Sequence, residues 1–254
     1  MYKRIWYFIL VFFTFPMFLA ADELPGKLFK TGNQQYAKGQ YDEAVKTYRQ
    51  LVDSGYHDPE VYFNLGNAYY KLDDMPSAIL YYEKAYKLTP GDEDIRVNLQ
   101  FANQKITDKI ESVPEFFLME WWRGFLMALS LNAWALIGVL ALLFGSAALV
   151  IYLFTHLIQL KKAAFYSGLV LLVLGLFSLF IASKQYSYFE NSSQAIVFNG
   201  SVDVKSGPQR NMKTLFVIHE GLKVVIKEKD NGWIKIELPN GNIGWMESVA
   251  VREI

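Results

Sequence analysis

The sequence predicts a multidomain membrane protein: an all-α domain of repeated helical hairpins, two transmembrane helices, and a small all-β barrel. Three observations carry that prediction. The stretch starting at Phe29, "FKTGNQQYAKGQYDEAVKTYRQ", returns thirty-four residues later as "FNLGNAYYKLDDMPSAILYYEK". A fixed period of that length marks stacked helical hairpins. No Lys, Arg, Asp or Glu occurs between Arg123 and Lys161, or between Lys162 and Lys184. Each gap is at least the roughly 20 apolar residues that cross a bilayer. Residues 195–254 alternate in short steps, with hairpin-turn signals at Asp230-Asn231-Gly232 and Asn240-Gly241.

Composition narrows the function classes. The chain has 254 residues, no net charge and no cysteine. Balanced charge gives no reason to expect a nucleic-acid partner. Without cysteine there is no disulfide, thiolate metal site or Cys nucleophile. His57, His156 and His219 lie far apart in sequence, and no Ser-His-Asp set, phosphate loop or ligand cluster is readable. Asp42, Glu43, Asp92 and Asp94 read as solvated helix-end charges. The expectation is a protein that is not an enzyme, with no metal and no cofactor.

The elements follow in order. Residues 1–21 pair a positive start (Lys3, Arg4) with an apolar run and the small residues Ala20-Ala21. They read as a secretory signal peptide, or as an uncleaved anchor with the same topology. Residues 24–112 are polar and helix-patterned. Residues 114–130 contain Trp121, Trp122 and Arg123 beside apolar residues, the composition of a helix in the headgroup region, with Pro114 expected in its first turn. Transmembrane helices are expected over 131–155 and 163–183, joined by "HLIQLKK". Lys161 and Lys162 in that short loop place it in the cytoplasm. The helical domain and residues 195–254 then share the periplasmic side of the inner membrane.

Within 24–112 the second copy resembles the tetratricopeptide repeat (TPR) family. Tyr62, Leu65, Gly66, Tyr69, Ala78, Tyr82, Ala85 and Pro90 fall on its signature positions. The first copy keeps Gly32, Ala44 and Tyr48, and Asn98-Leu99 begin a third. Two repeats plus a terminal helix are expected. Gly32, Gly66, Ala44 and Ala78 read as close helix contacts, with Tyr48 and Tyr82 filling the space between hairpins. Phe29, Asn33 and Tyr36 form one helix stripe at i, i+4 and i+7. Phe63, Asn67 and Tyr70 repeat it. The resemblance implies that these positions line a concave groove, with Asn64 and Asn98 adding amides. Asparagine offers two donors and an acceptor, which suits a peptide main chain. A carboxylate-holding groove would need Lys where Phe29 and Asp94 stand. The competing reading has the aromatics capping the core.

Residues 195–254 resemble a bacterial SH3-like domain through "VDVKSGP", "HEGLKVVI", "NGWIKIEL", "GNIGWM" and "VAVREI". Alternation sets Ile234, Ile236 and Leu238 inward and Trp233 outward. Trp233 is therefore either a ligand-groove aromatic or the cover of one barrel end, and Trp245 is expected in the core.

The order of these parts, with strings such as "SLNAWALIGVLALLFG" and "SGPQRNMKTLFVIHEGLKV", is similar to the BatE proteins of the bacterial aerotolerance operon. That resemblance implies an envelope complex for aerotolerance or stress resistance. Its implied partners are membrane proteins with von Willebrand A domains and a MoxR-type ATPase. The leading expectation is a membrane-anchored scaffold that binds partner proteins through the TPR groove. The alternative is a protein that binds peptidoglycan or cell-wall peptides through the SH3-like domain.

Overall fold

Three aspartates start three of the helices. Asp58, Asp74 and Asp92 each accept hydrogen bonds from backbone N–H groups of the first turn that follows, satisfying donors that no helix can pair internally. The computed structural model describes residues 23–111, 113–114, 116–190 and 193–254. The segment expected to be a signal peptide lies outside the described residues. Helices α1 (Glu23–Ala37) and α2 (Tyr41–Asp53) form one hairpin. Helices α3 (Pro59–Lys71) and α4 (Met75–Leu88) form the next, and α5 (Glu93–Lys105) packs on α4.

Glycine sets the hairpin spacing. A Cβ on Gly32 would lie 2.5 Å from Cε1 of Tyr48, and one on Gly66 would lie 2.6 Å from Cδ1 of Tyr82. The buried rings therefore lie directly on bare backbone. Ala44, Leu51, Leu65 and Ala68 fill the first interior, and Ala78, Ile79, Tyr82 and Ala102 the second.

Among the described residues no second helix pairs with α5 into a third hairpin. In a stacked array each hairpin buries its apolar face against the next, so part of α4 is left beyond the reach of α5. The β unit covers it instead. Met75 and Ile79 share one buried cluster with Ile196, and Phe198 and Ile254 pack alongside. Beside them the Lys223 ammonium meets the buried Glu83 carboxylate at 2.7 Å. The segment leaving α5 straps the two units together. Asp108 accepts the backbone N–H of His219 at 2.6 Å and lies 2.8 Å from its Nδ1. Ile110 packs on the β core, and Val113 N–H donates to the carbonyl of Pro239. Ile106 presses on Gly221, where φ is +85° and an added Cβ would collide with the isoleucine methyl. Only glycine meets both conditions.

The β unit has seven strands: β1 (Gln194–Val197), β2 (Ser201–Lys205), β3 (Thr214–His219), β4 (Lys223–Asp230), β5 (Trp233–Glu237), β6 (Ile243–Glu247) and β7 (Val251–Glu253). The sheet order is β3-β2-β6-β5-β4-β1-β7, antiparallel throughout. Ala195, Val204, Ile218, Val224, Ile236 and Met246, from six of the strands, meet in one cluster. The sequence reading missed "TLFVIH", now β3, because four apolar residues in a row show no alternation.

Between these units lie α6 (Phe117–Leu126), α7 (Leu131–Phe154) and α8 (Ile158–Glu190). Helices α7 and α8 are long and apolar enough to cross a membrane. They approach through glycine. A Cβ on Gly138 would lie 3.2 Å from the carbonyl of Gly175, and one on Gly145 would lie 3.1 Å from that of Gly168. Small residues at such a seam let backbones come close where lipid supplies no drive for helices to associate. Three details differ from the sequence reading. Pro114 precedes α6 rather than starting it. Lys161 and Lys162 sit in the first two turns of α8, and only residues 155–157 interrupt the hairpin. Helix α8 also continues past residue 183, where Phe189 packs edge-on against Tyr86 and Glu190 pairs with Lys87 at 3.5 Å.

Candidate peptide-binding groove

The groove is built on a rung that occurs twice. The Tyr48 hydroxyl donates to Oδ1 of Asn33 at 2.6 Å, and Nδ2 of Asn64 donates to the same oxygen at 3.2 Å. One repeat later Tyr82 donates to Asn67 at 2.7 Å, and Asn98 donates to Asn67 at 2.8 Å. Burial, reinforced by the nearby Tyr36, pushes the Tyr48 hydroxyl far above the usual phenol range. Burial does the same to Tyr82, with Tyr36 and Tyr70 adding to it. Both tyrosines therefore stay protonated and act as donors. That fixes which end of each first-helix asparagine points inward.

The rung leaves hydrogen-bonding capacity over. The carbonyls of Asn33 and Asn67 are spent on the protein, but among the described residues their NH₂ groups are not. Asn64 and Asn98 donate inward and keep their carbonyls. Each rung thus presents donors and an acceptor, repeated along successive first helices.

A cavity of about 270 Å³ opens at the second rung, lined by Tyr36, Asn67, Tyr70, Lys71, Tyr82, Asn98 and Phe101. Tyr36, Asn67, Tyr70 and Asn98 were expected there. Asn33 and Asn64 form the rung one repeat away. Phe29 and Phe63 are not among the residues lining this cavity. Their rings turn onto Tyr48 and Tyr82, with centroids 6.3 and 5.9 Å apart, and both are half-buried in the core. The position four residues before each asparagine faces its own hairpin's tyrosine, so these rings pack. Asn33 and Asn67 hold the tyrosine hydroxyls as well.

Two lining residues escaped the sequence reading. Phe101, 51% exposed, stands thirty-four residues after Asn67. Extending the repeat register into α5 would have found it. Lys71 had no signal beyond following Tyr70. Close by, Lys105 sits over the Tyr70 ring at 4.3 Å and pairs with Asp73 at 3.3 Å.

In the β unit, Ile234 and Ile236 are buried and Trp233 is half-buried. Trp233 separates two open clefts. One, of about 380 Å³, includes Arg210, Glu247, Lys205 and Asp203; the other, of about 600 Å³, includes Lys229, Asp230, Arg252 and Glu253. Trp245 is not a core residue. Gly244 and Met246 take the inner face of β6, where Gly244 lies tight under Val204, and Trp245 faces Lys235 at 5.9 Å.

A family model described as the tetratricopeptide repeat matches residues 29–93. No curated protein matches the chain. The matched segment runs from Phe29 in α1 to Glu93 at the start of α5, and it contains the first rung and most of the second.

Proposed function

We propose that the chain is a membrane-anchored scaffold that holds an extended segment of a partner protein along the first helices α1, α3 and α5. The repeated Asn–Tyr–Asn rung carries this reading. It sets unspent amide N–H and C=O groups one repeat apart, as a peptide main chain requires. Tyr36, Tyr70 and Phe101 flank the second rung with aromatic area at low entropic cost. The contact between the helical unit and the β unit supports placing both on one side of the bilayer. On the resemblance to BatE, that side is the periplasmic one, and the partners are von Willebrand A domain membrane proteins of an aerotolerance or stress-resistance complex.

The test is affinity capture from detergent-solubilised membranes with wild type and with Phe101→Ser plus Lys71→Ser. Both residues border the cavity without belonging to the rung. The double variant should keep the wild-type melting temperature and recover much less partner. Full recovery by the folded variant rejects the groove.

A second reading rests on Trp233. A half-exposed indole between two charged clefts suits a cell-wall peptide bearing charges of both signs, as in SH3-like domains that dock on peptidoglycan. Trp233→Ala should then abolish co-sedimentation with isolated wall fragments and leave partner capture intact. Unchanged co-sedimentation would remove this reading.

A further inference from the structure

We infer that α6 is a bilayer-seated foot, with the face carrying Phe117, Leu118 and Trp121 embedded in the lipid of the leaflet at the mouth of the hairpin. The inference rests on reading α7 and α8 as spans.

The two faces of α6 meet different surroundings. Leu126 is buried with Met127 and Ile181, and Trp122 and Phe125 pack onto that cluster with Trp134. Phe117 and Trp121, one turn apart, are 65% and 70% exposed, and Phe116, Leu118 and Met119 toward the start of the helix are open as well. Sequence alone offers Trp121 and Trp122 as an equivalent pair, and the fold separates them. Water is a poor environment for five such neighbours, because contiguous exposed apolar patches mark interaction surfaces.

Lipid is the occupant because the depth of α6 is fixed by the hairpin itself. The buried Gln185 of α8 donates from Nε2 to the carbonyls of Leu126 and Leu129, both at 2.9 Å. Trp134 of α7 donates to the carbonyl of Leu126 at 3.3 Å, and Ser178 of α8 donates to the carbonyl of Trp134 at 2.6 Å. The last turn of α6 is thus tied to the level of Gln185, at the end of the apolar stretch of α8. Tyr186 and Tyr188, next along α8, are exposed at that level. With Trp121 they make the aromatic collar expected where hydrocarbon meets headgroups. Glu120 and Arg123 are the only charges within α6, which suits a helix lying in the boundary rather than in water. On the other side of this turn Gly91, between α4 and α5, packs against the Ala128 carbonyl, a contact an added Cβ would break. The foot would therefore hold the repeat unit at a set height above the membrane.

The chain has no cysteine, so single sites can be spin-labelled without background. The experiment uses the full chain in vesicles of phosphatidylethanolamine and phosphatidylglycerol, labelled in turn at Leu118→Cys, Trp121→Cys, Leu143→Cys in the middle of α7, and Lys46→Cys on the exposed side of α2. Collision with oxygen reports lipid, and collision with a water-soluble nickel chelate reports water. Labels at 118 and 121 should resemble 143, with oxygen contact several-fold above that at 46 and chelate contact suppressed. If 143 reads lipid while 118 and 121 read water, the foot is rejected and the spans stand. Spin–spin broadening at 121 that vanishes on dilution with unlabelled chain would also reject it, because a second copy then covers the face. A water-like signal at 143 would reject the spans, and the foot with them.

Discussion

The Tyr48 hydroxyl lies 2.6 Å from Oδ1 of Asn33, fifteen residues back in the chain, and Tyr82 repeats the relationship with Asn67. One side chain thus belongs both to the core and to the groove. A binding test by alanine replacement at these asparagines would confuse the two roles, whereas a change that keeps the carbonyl oxygen separates them.

Asn67→Ala should destabilise the helical unit by about 1–3 kcal/mol, because it strands the buried Tyr82 hydroxyl. Asn67→Asp keeps an acceptor for Tyr82 and Asn98 but loses the NH₂ donor. It should melt close to wild type and still capture less partner. Denaturant titration and affinity capture on the same preparations check both halves. An aspartate variant that binds fully would mean the amide donor touches no ligand.

Gly66→Ala should cost about 1–3 kcal/mol, the usual range for overpacking, because the new methyl would meet the Tyr82 ring at 2.6 Å. Gly26→Ala in α1 meets nothing within 4 Å. It should instead stabilise by up to about 1 kcal/mol through helix propensity. Thermal melts of the two variants should shift in opposite directions.

Lys223→Ala leaves the buried Glu83 carboxylate without its partner. The cost should be about 1–3 kcal/mol, below the 3–5 of a fully buried pair, because the lysine side chain is 34% exposed. The loss should fall on the seam between units. Wild type should unfold its helical and β parts together, and the variant should separate them in calorimetry. An isolated fragment spanning 24–112 should likewise melt below the same helices in the full chain, since it exposes Met75 and Ile79.

Burial raises the hydroxyl pKa of Tyr36, Tyr48, Tyr62, Tyr69, Tyr81, Tyr82 and Tyr86. The folded state then holds these protons when the unfolded chain releases them, so stability falls as pH rises. This contribution is complete below the unfolded value of about 10 and declines above it. Lys84 works the other way: burial first, then Arg252 and Lys87, lower its pKa, and its cost to the fold lessens as pH rises toward the ordinary lysine value. The seven tyrosines should outweigh it. The part of the tyrosinate absorbance that comes from these seven should therefore appear together with the loss of helical circular dichroism in alkaline titration. Free titration of all tyrosines near pH 10, with the helices intact, would contradict the burial.

The sequence alone determined the helical repeat, the two apolar spans and the antiparallel C-terminal unit. Each is a local periodicity: thirty-four residues, an unbroken uncharged run, or an alternation of two. It also placed Gly66, Ala78 and Tyr82 in the packing, because only small residues opposite a large ring recur in that register. Tertiary structure decided what lies between periodicities. Phe29 and Phe63 turned inward because a tyrosine of the same hairpin stood within reach. Phe101 entered the groove because α5 stacks in register without a hairpin partner. Trp121 and Trp122 parted because α8 covers only one side of α6. The β unit took the place of a missing helix because α4 presents an apolar face that water cannot cover, and Ile196 arrives there more than a hundred residues later in the chain. Such contacts depend on which surfaces meet in space, and a one-dimensional pattern carries no signal for them.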